Sequence, residues 1–203
     1  MNKIILIGAG GHTHSCIDVI EQENQFEIAG LIEKNNLITD TSVGYPIIGV
    51  DNDLNVLRKK YTYALIGVGQ IKSPNIRIKL YHLLKELNFT LPIIISPEAY
   101  VSKHAQIGEG SIIMHGSIVN KNAKIGKNCI INNKSLIEHD SVIGDHCHIA
   151  TGAIINGEVK IGNNTFFGSG AITKQGISIG DKCIIGAGAI IKRDIKENQV
   201  INN

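Results

Sequence analysis

An apolar residue recurs at every sixth position from Val101 to Ile191 without a change of phase, with Thr173 as the one exception. This column has sixteen positions, of which twelve are Ile. A second column, two residues earlier in each repeat, holds mainly Ala, Ser, Cys or Thr. A unit this short cannot bury an apolar face by itself, so the repeats must stack on one another in a solenoid.

The repeat length predicts the kind of solenoid. Six residues make one short strand plus a turn, and hexapeptide repeats are typical of a parallel β-helix in which three repeats complete one triangular coil; the repeat region then makes roughly five coils. The β-branched Ile side chains are expected to point inward. We expect the small residues at tight corners, and we expect the Gly that follows seven of the column positions to adopt backbone angles that other residues resist.

Composition excludes several classes of protein. The 203-residue chain has room for two small domains, and its net charge of +2 argues against electrostatic binding of nucleic acid. No apolar run reaches the length of a membrane span, and the first eight residues resemble a strand more than a signal peptide. Cys129, Cys147 and Cys183 fall in the small-residue column, where we expect buried thiols and neither disulfides nor a metal site. A cytoplasmic protein is therefore expected.

The spacing of apolar residues is different in the part of the chain that precedes the repeats. Apolar runs alternate there with helical patterns, which predicts a small parallel α/β domain. Pro92 and Pro97 flank the junction, so we predict one domain over residues 1–94 and the β-helix over residues 95–203. The predicted strands are 3–7, 26–32 and 63–68, and the predicted helices are 12–23, 51–60 and 74–87.

A glycine turn follows the first predicted strand. The stretch Gly8-Ala-Gly10-Gly11 lacks the third glycine of the dinucleotide fingerprint, because Thr13 stands in its place. A dehydrogenase is therefore disfavoured. Backbone N–H groups at the start of a helix still suit phosphates or ribose hydroxyls, and Glu33 ends the second strand where an acidic residue can meet a ribose. The turn predicts binding of a nucleotide or a nucleotide sugar.

The segment from Asn132 to His148 contains the residues best suited to chemistry. His139 lies outside the inward-facing column, and the adjacent carboxylate of Asp140 can orient its imidazole and raise its basicity. Acyl transfer to an amine needs such a base to take a proton while the nitrogen attacks a thioester carbonyl. It also needs a donor to stabilise the oxyanion. His148 follows nine residues later, so it need not contact His139 within one chain.

With these motifs the chain resembles the hexapeptide-repeat acyltransferases, whose prism is a left-handed β-helix. It is most similar to bacterial sugar acyltransferases that join a small nucleotide-binding domain to such a prism. This resemblance implies a catalytic base at His139 and its acidic partner at Asp140. It implies acetyl-CoA contacts at four positions, which are His148, Gly157, Ser169 and Ala187. It implies nucleotide-sugar contacts at five positions, which are Gly10, Gly11, His12, Glu33 and Gly69.

The resemblance reaches two branches of the family. One comprises N-acetyltransferases acting on nucleotide-linked 4-amino-4,6-dideoxy sugars, and His12, Asp140 and His148 match its pattern. The other comprises O-acetyltransferases of sialic acid-type sugars, and these enzymes share the amino-acid sequence around His139 and Gly157. We favour N-acetylation. The resemblance also implies acetyl-CoA as co-substrate, no metal, and a homotrimer with the site between adjacent prisms. The family's Gly-x-Pro-Ala tail is not matched here, so contacts to the distal part of CoA stay open.

Two further classes compete with this interpretation. A non-catalytic β-helix binding protein would need no convergence of His139, Asp140 and His148. A hexapeptide carbonic anhydrase would need three histidines around zinc, and the repeat region offers candidates whose spacing does not fit coil-related positions. The sequence leaves open which sugar is modified, which nucleotide carries it, and which acyl group is transferred.

Overall fold

A computed structural model describes residues 1–34 and 44–202 of the chain. The first part is a four-stranded parallel sheet in the order β3-β2-β1-β4, with helices on both faces. Its strands are β1 (Asn2–Ile7), β2 (Phe26–Glu33), β3 (Ile47–Val50) and β4 (Tyr63–Ile66). Its helices are α1 (Gly11–Glu23), α2 (Leu54–Leu57) and α3 (Asn75–Glu86), and a 3₁₀ turn (Asp51–Asp53) precedes α2.

Two elements differ from the sequence-based expectation. Strand β3 was not predicted, because it is short, lies at the sheet edge, follows Pro46 and contains Gly49, all of which weaken a strand pattern. The helix expected over 51–60 is only the 3₁₀ turn and the four residues of α2. The other strands and helices occur where the apolar pattern predicts them. No helix in the described part of the chain has the length and apolarity needed to span a membrane.

The second part is a triangular prism of two-residue parallel strands. Its first wall contains β5 (Ile94–Ile95), β8 (Ile112–Ile113), β11 (Ile130–Ile131), β14 (His148–Ile149), β17 (Phe166–Phe167), β20 (Ile184–Ile185) and β22 (Val200–Ile201). Its second wall contains β6 (Tyr100–Val101), β9 (Ile118–Val119), β12 (Leu136–Ile137), β15 (Ile154–Ile155), β18 (Ile172–Thr173) and β21 (Ile190–Ile191). Its third wall contains β7 (Gln106–Ile107), β10 (Lys124–Ile125), β13 (Val142–Ile143), β16 (Lys160–Ile161) and β19 (Ser178–Ile179).

The inward column of Ile residues forms the prism core, as the period predicts. The small-residue column lies inside as well, and many of its side chains donate to a backbone carbonyl of the next coil. Ser111 Oγ donates to Gly126 O at 2.8 Å, and the thiol of Cys129 donates to Gly144 O at 3.1 Å. The column is therefore small and often polar because it must fit a corner and satisfy a buried carbonyl. All four cysteines are free and buried.

The expected role of the glycines after the inward column is wrong. Their φ angles are not positive; instead, a Cβ atom on Gly108 would lie 2.6 Å from the carbonyl carbon of Gly126 in the next coil. Glycine is needed there because neighbouring coils approach too closely for a side chain. The left-handed residue, which occurs in every turn from Gly110 to Gly188, is two positions later and is Gly, Asn or another polar residue, Asp140 among them.

The three walls present different outer faces. The α/β domain covers much of the first wall, where Ile94, Ile112 and Ile130 pack in one core with α1 and the sheet. The outward residues of the third wall are mostly polar. The outward column of the second wall is apolar throughout and partly exposed in this single chain, at the positions Tyr100, Ile118, Leu136, Ile154, Ile172 and Ile190.

Candidate active site

His139 lies exposed at the corner between the second and third walls, two residues after the end of β12. Its Nδ1 is 2.9 Å from Oδ2 of Asp140, and the amide of Asn122 donates to Oδ1 of the same carboxylate at 3.0 Å. The hydrogen bond to Asp140 raises the pKa of His139. The bond from Asn122, followed by that from His139, lowers the pKa of Asp140. The pair is therefore a carboxylate-oriented imidazole.

This orientation suits a general base. Asp140 can only accept at neutral pH, so the neutral imidazole bound to it carries its proton on Nδ1 and presents a lone pair at Nε2. Asp140 adopts φ = 59°, a left-handed conformation that Asp tolerates better than most residues. The repeat geometry thus turns the carboxylate back onto the preceding histidine.

Gly157 lies one coil above His139 at the same corner and is buried. A Cβ atom built on Gly157 would be 2.8 Å from both Cε1 and Nε2 of His139. The amide of the next residue, Glu158, donates to the backbone carbonyl of His139 at 3.0 Å. The structure therefore brings His139, Asp140 and Gly157 together, and the absence of a side chain at Gly157 leaves room for the imidazole.

His148 lies on the first wall, beneath the α/β domain, and is 7% exposed. Its Nδ1 bonds to the backbone carbonyl of Gln70, and its Nε2 is 3.2 Å from the amide nitrogen of Asn132. The ring of Phe166 packs edge-on against it, with centroids 5.2 Å apart. Burial lowers the pKa of His148 to about 4, so the imidazole is neutral at physiological pH.

The glycine turn of the α/β domain lies close to His148. His12, in the first turn of α1, has its ring centroid 6.4 Å from that of His148, and burial lowers its pKa to about 3. A Cβ atom on Gly69 would lie 3.4 Å from Cβ of His12. Gly10 and Gly11 are exposed, and the N-terminus of α1 has no side-chain cap. The first N–H groups of α1 therefore have no side-chain partner at the cap, at a helix start that includes His12.

Thr13 explains why the dinucleotide fingerprint is incomplete. Its hydroxyl contacts the backbone carbonyls of Gly8 at 2.9 Å and of Gly67 at 3.1 Å, and the residue is fully buried. The side chain therefore ties the ends of β1 and β4 together in the position where the fingerprint has glycine.

A cavity of about 640 Å³ opens beside the turn, at the carboxyl ends of β1 and β2. Its walls are mostly apolar, and its polar lining includes Glu33, Asp51, Asn52 and Asn55. Glu33 thus borders a cavity large enough for a nucleoside, and Gly8 of the glycine turn lines the same cavity.

The predicted residues form two groups that one chain does not join. His139, Asp140 and Gly157 occupy the corner of the triangle that is opposite the first wall, whereas His148 lies on the first wall and His12 approaches it from α1. Ser169 and Ala187 lie exposed, one coil apart, at the corner between the first and second walls. The second wall, with its apolar outer column, therefore separates these two corners.

Sequence reasoning missed several residues of the site. Asn122 precedes Asp140 by one full coil, so the repeat length was a signal for their contact. Asn132 and Gln70, which hold His148, had no comparable signal, since Gln70 belongs to a turn of the other domain. Within residues 1–34 and 44–202, no three His, Cys, Asp or Glu side chains form a group that could hold a metal ion.

Family models match both parts of the chain. The PglD N-terminal domain model matches residues 3–84, and the bacterial transferase hexapeptide model matches 104–139, 122–157 and 140–175. The hexapeptide repeat of succinyl-transferase matches residues 158–193. The chain belongs to the hexapeptide-repeat acyltransferases. Its prism is accordingly the left-handed β-helix that the resemblance implies. No curated protein sequence matches the chain.

Solved structures match nearly the whole acyltransferase. A histidine-to-asparagine mutant of perosamine N-acetyltransferase from Caulobacter crescentus, in complex with CoA and GDP-perosamine, is 28% identical with a TM-score of 0.92, covering 98% of this chain and 93% of its own. The acetyltransferase domain of PglB from Neisseria gonorrhoeae, with acetyl coenzyme A, is 29% identical with a TM-score of 0.88, covering 97% and 94%. WeeI from Acinetobacter baumannii is 26% identical with a TM-score of 0.87, covering 100% and 97%.

Proposed function

We propose that this protein transfers an acetyl group from acetyl-CoA to the amine of a nucleotide-linked 4-amino-4,6-dideoxy sugar. The observation that carries the proposal is the imidazole of His139, which is bound to Asp140 and packs closely against Gly157. The neighbouring perosamine N-acetyltransferase, which binds CoA and GDP-perosamine, supports the amino-sugar class. The neighbouring PglB domain, which binds acetyl coenzyme A, supports the acyl donor.

The α/β domain supplies the acceptor side of this reaction. The nucleoside is proposed to fill the cavity beside Glu33, and its phosphates to bind the N–H groups of Gly10 and Gly11 at the uncapped start of α1. The sugar then extends past His12 towards His148, which is the direction in which the two rings approach each other.

The reaction is proposed as a direct transfer. The sugar amine attacks the thioester carbon, a C–N bond forms and the C–S bond breaks. Nε2 of His139 takes a proton from the attacking nitrogen and returns it to the departing sulfur of CoA. The N–H of Gly157 is proposed to stabilise the carbonyl oxygen as it becomes negative. No acyl-enzyme is formed, which agrees with cysteines that are all buried.

A homotrimer is proposed because one chain holds only separate parts of the site. Docking the second wall of one copy against the next would bury its apolar column, in which Ile190 is 64%, Tyr100 59% and Ile118 40% exposed in the single chain. His139 lies at one edge of that wall, so the same docking brings it against a second copy. The active site is therefore proposed between adjacent prisms, with the protein acting in the cytoplasm, where activated sugars are made.

The test measures CoA release and product mass with acetyl-CoA and a panel of UDP-, GDP- and CMP-linked sugars. Acetylation of a UDP- or GDP-linked 4-amino sugar is expected, and turnover of a folded His139→Ala variant should fall by a factor of about 10²–10⁴. His82→Ala, which removes an exposed histidine of α3, should keep the wild-type turnover. Acetylation confined to sialic-type sugars would move the function to O-acetylation, and near-normal turnover of His139→Ala would refute the assigned base.

A further inference from the structure

Arg77 is buried between the α/β domain and the prism, with 1% of its surface exposed. Its Nη1 donates to the backbone carbonyls of Ile66 at 2.8 Å and Val68 at 2.7 Å. Its Nη2 donates to Oδ1 of Asn128, at a corner of the prism, at 2.7 Å. No carboxylate forms an ion pair with it in the part of the chain that the structure describes. Burial lowers its pKa to about 10, so it stays charged at neutral pH.

A buried charge without a counter-ion is a costly way to join two domains. Removing a guanidinium from water costs several kcal/mol, on the order of what well-placed neutral acceptors can return. An apolar side chain of similar size would fill the same space at lower cost. The guanidinium is therefore explained better by what its fixed fork of donors holds in place.

The backbone that Arg77 holds leads directly to His148. Val68 is followed by Gly69, which packs against His12, and by Gln70, whose carbonyl bonds to Nδ1 of His148. The side chain of Gln70 also donates to the backbone carbonyl of a neighbouring prism residue at 3.0 Å. The segment from Val68 to Gln70 is thus fixed at its start by Arg77 and at its end by the prism.

We infer that Arg77 is a positioning residue for the acyl-transfer site, which acts through the backbone of Val68 and Gln70 to hold His148 with its proton on Nδ1 and its Nε2 as a hydrogen-bond acceptor. The carbonyl of Gln70 can only accept, so the nitrogen facing it must carry the proton. Nε2 then accepts an N–H from Asn132, or from an amide or amine of a bound substrate, and cannot donate to a carbonyl oxygen. The relevance to catalysis rests on the proposed function.

The first readout needs no activity. In the full chain labelled with ¹⁵N-histidine, long-range proton–nitrogen spectra should show His148 as the Nδ1–H tautomer, with its signals assigned by their loss in His148→Gln. In Arg77→Met the signals should move towards a mixture of tautomers. Tyr81→Phe is the matched control, because it removes another contact of α3 with the prism, the bond from Tyr81 to Glu109, and touches neither Val68 nor Gln70. It should leave the tautomer unchanged.

The second readout is kinetic. Arg77→Met is expected to raise KM at least tenfold for one of the two substrates, acetyl-CoA or the nucleotide-linked sugar. Tyr81→Phe should change KM for either substrate less than twofold. If Arg77→Met does not fold, Arg77→Lys replaces it, since lysine keeps a donor for Val68 but cannot also reach Asn128, and an intermediate effect is expected. A folded Arg77 variant with His148 still fixed as Nδ1–H would overturn the inference, and so would His148 protonated on Nε2 in the wild-type protein. Absence of acetyl transfer with every sugar would refute the proposed function and leave the tautomer result standing.

Discussion

Replacing Gly157 with Ala should lower turnover while leaving the fold nearly intact. The new Cβ atom would lie 2.8 Å from Nε2 of His139, and ordinary van der Waals contact begins at about 3.4 Å, so the ring must move by about 0.6 Å. His139 is exposed and its ring can rotate away, so relieving the contact costs little stability. Displacing a catalytic group by 1 Å can cost about 10²-fold in rate, so we expect a loss of roughly ten- to a hundredfold, or about 1.4–2.7 kcal/mol of barrier.

The assay is steady-state CoA release, with thermal unfolding measured on the same samples. Gly126→Ala is the contrasting variant, because its Cβ atom would lie 2.6 Å from the rigid backbone of Gly144 in the next coil. It should lower the melting temperature clearly. In the His139→Ala background, Gly157→Ala should have little further effect on turnover. A folded Gly157→Ala protein with wild-type turnover would refute the idea that this glycine makes room for the base.

Three other predictions follow from the same geometry. Asp140→Asn removes the carboxylate charge and leaves a weaker, neutral acceptor for Nδ1 of His139, so the pKa of His139 should fall. Because the base must be neutral, the acidic limb of the turnover profile should shift to lower pH while the maximal rate falls, and an unshifted limb would argue against the pairing. Ile118→Lys, on the apolar outer column, should turn the assembly into folded monomers by light scattering with little activity, so an intact trimer would contradict the proposed interface. Cys129→Ser should keep both the bond to Gly144 O and the turnover, and a loss of turnover in folded protein would implicate the thiol in chemistry.

The repeat region could be predicted well because its period is a direct consequence of packing. Each inward Ile fills an equivalent place in the core, so the repeating apolar position in the sequence predicts the interior of the prism. The roles of the glycines could not be read in the same way. A close approach between Gly108 and Gly126 and a left-handed turn at Gly110 look alike in a sequence, and only coordinates distinguish crowding from backbone conformation.

Some contacts within the candidate site could be predicted from the sequence, but the arrangement of the residues could not. His139 and Asp140 are adjacent in sequence, so their contact needed no long-range information. The contact between His12 and His148 depends on how the α/β domain docks on the first wall, which no local pattern specifies. Arg77 was overlooked for the same reason, since an arginine within an amphipathic helix usually faces solvent.

The position of the proposed site residues within the repeat has a physical cause. Each six-residue unit has an inward residue, a small residue and a left-handed residue whose identities packing constrains. The position two residues after the inward one lies at a corner and is less constrained by packing. His139, Gly157, Ser169 and Ala187 all occupy this same position in different units. A solenoid therefore places functional side chains at its corners without disturbing its core, but a convex corner cannot enclose a substrate. Enclosure must come from another surface, and the apolar second wall beside His139 supplies the means of bringing one there.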